Sequence, residues 1–80
     1  MSLSRLDKKQ LAAFIPGTII DVKVKVGQQV KQGETLVILD AMKMHNRILA
    51  PMNTTVKEVN VKPGDRVVKG FVMVVLDWQT

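Results

Sequence analysis

Hydrophobic and polar residues alternate over Val22-Lys23-Val24-Lys25-Val26, and again over Val59-Asn60-Val61-Lys62. A period of two marks a half-buried strand, with valines on one face and lysines on the wet one. Each stretch runs into a glycine, Gly27 or Gly64, as a strand ending in a turn does. A second turn follows in both places, Val30 to Gly33 and Val67 to Gly70. Then comes a short apolar run, Leu36 to Leu39 and Met73 to Leu76. Such runs between turn signals are too short for helices and suit strands buried on both faces.

These coincidences form one repeat with a period of 37 residues. In that register Ala13 meets Ala50, Thr18 meets Thr55, Val22 meets Val59 and Val24 meets Val61. Gly27 meets Gly64, Val30 meets Val67, Gly33 meets Gly70, Leu39 meets Leu76 and Asp40 meets Asp77. Ile19 and Val56 have the wrong parity for Val22 and Val59, which predicts a bulge or bend in each half. Two halves of short strands and frequent turns predict an all-β fold, a sandwich or flattened barrel with pseudo-twofold symmetry. Residues 1–10 lie outside the repeat. Ser4 and Asp7 have capping-box spacing, but a flexible tail or linker is the expectation there, with the folded domain over 11–80.

The joint between the halves, Ala41 to Leu49, is entered and left by apolar residues, so a hairpin with its tip near Met42-Lys43 is the economical connection. Tight two-residue turns want positive φ at both central positions and favour Asn-Gly or Asp-Gly. Met-Lys in that geometry costs about 1 kcal/mol or more per residue. Something other than turn propensity therefore selects these side chains. The repeat also maps Lys43 onto Thr80, so a twofold axis places the tip and the chain end at opposite poles.

Composition narrows the chemistry. There is no cysteine and one histidine, which excludes disulfides, thiolate sites and multi-histidine metal sites. His45 is expected to be a solvated strand residue, and no metal site is expected. The net charge of +5 invites a nucleic-acid reading. The cations are scattered, however, and two Phe with one Trp make no base-stacking platform, so nucleic-acid binding is not expected. The longest apolar run, Phe71 to Leu76, falls far short of the roughly 18 residues of a membrane helix, so direct membrane insertion is not expected either. Met1 to Arg5 lacks the apolar core of a signal peptide, and the cytoplasm is the expected location.

Ala41-Met42-Lys43-Met44 resembles the signature of biotinyl domains, the biotin carboxyl carriers of biotin-dependent carboxylases, decarboxylases and transcarboxylases. The resemblance runs from about residue 13 to 77 and includes Pro16-Gly17-Thr18, both Val-x-x-Gly turns and Ala50-Pro51. It implies a flattened β-barrel, or barrel-sandwich hybrid, of two four-stranded antiparallel sheets. It also implies biotin held as an amide on Lys43, with Asp40, Ala41, Met42 and Met44 as the hairpin context read by a biotin protein ligase. The implied partners are that ligase, a biotin carboxylase and a carboxyltransferase or decarboxylase; the domain is not expected to be an enzyme alone. Asp40 stands where the family usually has Glu, and Thr54 where it usually has Gly. Asp21 continues directly into the Val22 strand, leaving no room for the extra thumb loop of some carriers.

Each residue also has a plainer reading. Met42 and Met44 are core fillers in principle, but beside a tip at most one side faces a core. Asp40 either belongs to the recognised hairpin or pairs with a neighbouring cation. The rival functions are a lipoyl carrier, whose lysine usually lies between Asp and Ala, and an unmodified barrel used for assembly.

Overall fold

The computed structural model describes residues 8–77. The readings of Ser4 with Asp7 and of Thr80 lie outside the described residues. All regular elements among the described residues are strands: β1 (Lys8–Ala12), β2 (Gly17–Val22), β3 (Gln29–Val30), β4 (Thr35–Ala41), β5 (Met44–Leu49), β6 (Thr54–Val59), β7 (Arg66–Val67) and β8 (Val72–Asp77). They form two four-stranded antiparallel sheets, ordered β1-β8-β6-β3 and β5-β4-β2-β7. The 37-residue repeat carries β2 onto β6, β3 onto β7 and β4 onto β8, and each sheet order onto the other. The expected twofold barrel-sandwich is the observed one.

Packing explains the repeat. The largest fully buried side chains include Ile19 with its mate Val56, Leu36 with Met73, Val37 with Val74, and Leu39 with Leu76. Burying each such side chain stabilises the fold by roughly 1.5–3 kcal/mol. Both sheets therefore present the same apolar face to one shared core. The register slips between Ile19 and Asp21 in β2, and between Val56 and Glu58 in β6, where the parity mismatch predicts bulges.

Two expectations need correction. The alternating stretch after Val22 leaves the ladder although Val24 is buried, so β2 is shorter than its pattern suggests. The expected tail over 1–10 also gives way to structure at its end: Lys8, Lys9 and Gln10 pair with Asp77, Leu76 and Val75. This β1 is the repeat mate of β5, with Leu11 in the place of Ile48. An edge strand buried on one side needs few apolar residues, so Lys-Lys-Gln resembles a solvated tail.

The turn glycines matter where they seat neighbouring chain. Gly33 and Gly70 have φ of 87° and 91°, a region that L-residues with a Cβ rarely enter. Their N–H groups donate to Ala50 O and Ala13 O, each at 2.8 Å.

Candidate functional site

The β4–β5 hairpin closes on the pair Ala41 and Met44, leaving a two-residue connection. Met42 has φ 53° and Lys43 φ 63°. Positive φ at both positions is the twist that antiparallel strands want from a tight turn, reached here without Asn or Gly. The cost is about 1 kcal/mol per residue. Asn46 helps hold the shape: its Nδ2 donates to Leu39 O at 3.4 Å and to Met44 O at 3.2 Å. The sequence reading missed this brace. Its signal was an amide side chain at a strand position next to a turn lacking the usual turn residues.

Below the tip the hairpin rests on β2. A Cβ on Gly17 would overlap Asp40 O and lie 3.0 Å from Leu39 Cδ1 and 3.1 Å from Ala41 Cβ. Ala41 is itself buried. The small residue before Met42 is thus set by this close approach.

Above that base everything faces water. Met42 is 81% exposed and Met44 65%, so neither fills the core. Lys43 is exposed and takes part in no ion pair among the described residues. Asp40 is half-buried, in register with His45 on one side and Thr18 on the other. It too makes no ion pair among the described residues, so the cation-pairing alternative finds no partner there. His45 is exposed, and no group of three or more His, Asp or Glu side chains gathers among the described residues. β4 ends at the tip while its repeat mate β8 ends at Asp77, beside Lys8, at the opposite pole. The structure thus assembles Asp40, Ala41, Met42, Lys43 and Met44 into one feature: a primary amine raised on a braced hairpin.

The arrangement is an exposed lysine on a tight hairpin at one pole of a twofold β-barrel, a form suited to a carrier domain. Residues 10–76 match the family model described as biotin-requiring enzyme, and the chain belongs to that family. It is 57% identical over 44 residues to the methylmalonyl-CoA decarboxylase subunit gamma of Veillonella parvula, covering 55% of this chain and 34% of that protein. It is 50% identical over 46 residues to the biotin carboxyl carrier protein of Streptococcus mutans, covering 58% of this chain and 35% of that one. A solved single-chain, multi-domain long-chain acyl-CoA carboxylase superposes with a TM-score of 0.84 at 32% identity, covering 91% of this chain and 7% of that one. The chain therefore spans about a third or less of the proteins it matches. It is a biotinyl domain of the biotin carboxyl carrier kind, and its cofactor is covalently attached biotin.

The residues present suit that group. Amide attachment needs an accessible unbranched primary amine, and Lys43 is exposed at the tip with no ion pair among the described residues to hold it down.

Proposed function

We propose that Lys43 is the residue that carries biotin, and that the chain moves a carboxyl group between a partner site that loads it and another that unloads it. The observation that supports this most is the pair of positive φ values at Met42 and Lys43, both with exposed side chains. A hairpin that needed only to turn would place Asn or Gly there; this one accepts strain to present particular side chains. When bound, biotin supplies a ureido nitrogen able to take up and release a carboxyl group.

The chain's own contribution is mechanical. Lys43 Nζ gives the amide and a flexible stem. The hairpin fixes the stem's root, and Asn46 and Gly17 fix the hairpin. Met42 and Met44 present apolar, exposed flanks for a biotin protein ligase to recognise. Tethering raises the effective concentration of the carried group at each partner without supplying a transition-state site. The domain therefore does not catalyse alone, and works with the ligase, a biotin carboxylase, and a carboxyltransferase or decarboxylase.

Intact mass after incubation with a biotin protein ligase, biotin and ATP tests this. The wild-type chain gains one biotinyl group and Lys43→Arg gains none. Equal labelling of the variant, or a lipoyl increment on Lys43 in cells, overturns the assignment.

A further inference from the structure

The chain has no cysteine, so the sulfur it offers to an oxidant is methionine sulfur. Five methionines occur in it; Met1 lies outside the described residues, and the other four differ in their surroundings. Met73 stands in β8, inside the core, and is 0% exposed. Met52, between β5 and β6, is partly buried. Met42 and Met44 are 81% and 65% exposed. Packing shields a thioether from oxidants dissolved in water. The two methionines most open to attack are therefore the two beside Lys43.

The hairpin fixes where they stand. Ala41 pairs with Met44, which leaves Met42 and Lys43 as the central residues, with φ of 53° and 63°. Successive Cα atoms lie about 3.8 Å apart, so one methionine borders the lysine on each side along the chain. Positive φ is disfavoured for a residue with a Cβ, and a water-facing side chain contributes no buried apolar area. Backbone preference and core packing thus leave Met42 unexplained, and packing leaves Met44 unexplained. A ligase that brings its acyl carbon to Lys43 Nζ closes over both flanks, and an apolar flank suits that contact. Leucine would offer a similar apolar surface. Methionine adds a sulfur that takes up one oxygen and can give it back. The sulfoxide is polar and chiral, and the same contact must then desolvate its dipole.

We propose, resting on the Lys43 reading, that Met42 and Met44 form a reversible oxidation site whose sulfoxides block the loading of biotin. The oxidant is a peroxide. A lone pair of the thioether sulfur attacks one peroxide oxygen, and the O–O bond breaks. Sulfur keeps that oxygen and is oxidised by two electrons. The other oxygen takes up the proton and leaves as water or an alcohol, so the peroxide is reduced by the same two electrons. Methionine sulfoxide reductases, one for each sulfoxide epimer, return the thioether, with a dithiol supplying the electrons.

The test treats the unmodified chain with dilute hydrogen peroxide, removes the peroxide with catalase, and only then adds biotin protein ligase, biotin and ATP. Peptide mapping reads which sulfurs carry oxygen, and intact mass reads the initial rate of biotinylation. Support consists of oxygen appearing on Met42 and Met44 at least tenfold faster than on Met73, and of a loading rate at least tenfold lower once both carry it. Both reductases together restore the rate. Met42→Leu combined with Met44→Leu, compared with its own untreated rate, changes less than twofold under the same treatment. Where that variant loads too slowly to compare, the reductase arm on the wild-type chain decides. Equal oxidation of all four methionines overturns the site, and an oxidised chain loaded as fast as the untreated one overturns the block. A double variant that loses as much as wild type overturns it too, as does a loss that the reductases leave standing, since the damage then lies elsewhere. An untreated wild-type chain that the ligase never modifies defeats the Lys43 reading instead, and the order of oxidation still decides whether the site exists.

Discussion

Gly17 sits against the main-chain carbonyl of Asp40 with no room for a β-carbon between them. The twofold mates of these residues are Thr54 and Asp77, and there the relationship changes: the Thr54 hydroxyl donates to the Asp77 carbonyl. One barrel thus uses two devices at equivalent places. At the lysine pole the strands approach by omission of a side chain. At the opposite pole a buried hydroxyl links β6 to the end of β8.

Gly17→Ala tests the first device. The new methyl meets backbone, not a side chain that can rotate away, so β2 and the hairpin base must part. Overpacking of this kind costs about 1–3 kcal/mol, or roughly 4–24 °C in melting temperature for a domain of this size. Calorimetry should show that loss, and the amides of Asp40 and Ala41 should shift most in the spectrum. A variant as stable as wild type would mean the strands have slack there.

Thr54→Val tests the second. The shape is nearly kept while the donor is lost, so stability should fall by about 1 kcal/mol. Thr54→Ser, which retains the hydroxyl, should recover part of that loss. Denaturant midpoints compare the three chains. If valine matches threonine, the hydroxyl contributes nothing measurable.

Much of this was readable beforehand, for physical reasons. Leu39 and Leu76, or Gly33 and Gly70, recur at a fixed distance because each half buries the same strand and makes the same positive-φ turn. The parity break between Ile19 and Val22 is a bulge written directly in the pattern. The hairpin of the candidate site was legible because apolar residues flank the joint, and Met42 and Lys43 stood out there because they defy turn preference. β1 was not, since an edge strand with Lys8 and Lys9 carries a weak apolar signal. Asn46 was not, because its work depends on carbonyls brought near only by the hairpin.

The ion pair from Lys23 Nζ to Asp21 Oδ2, at 2.8 Å, gives a pH dependence of known sign. The hydrogen bond from Lys23 holds the Asp21 carboxyl below its ordinary value of 3.8, against an opposing desolvation, with the Lys23 charge and the Val22 N–H adding to the lowering. The folded chain therefore binds this proton less readily than the unfolded one. Its contribution is present above the ordinary value and lost as pH falls through the lowered one. Both side chains are exposed, so the effect is small and weakens with salt. The melting-temperature gap between wild type and Asp21→Asn should favour wild type at neutral pH and vanish in acid. A gap that stays constant across that range rules out the pairing as its source.

Met42→Asn separates presentation from folding at the tip. Asparagine enters the left-handed region more easily than methionine and is favoured in two-residue hairpin turns. Met42 is almost fully exposed, so no packing is lost in exchange. The variant should gain on the order of 0.5–1 kcal/mol, read as a rise of several degrees in melting temperature. Its rate of biotinylation should fall at least severalfold, because the flank offered to the ligase has changed. A variant that is no more stable would show that the turn holds Met42 without strain. A variant labelled as fast as wild type would show that the ligase does not read this side chain, and that Met42 occupies a costly position for another reason.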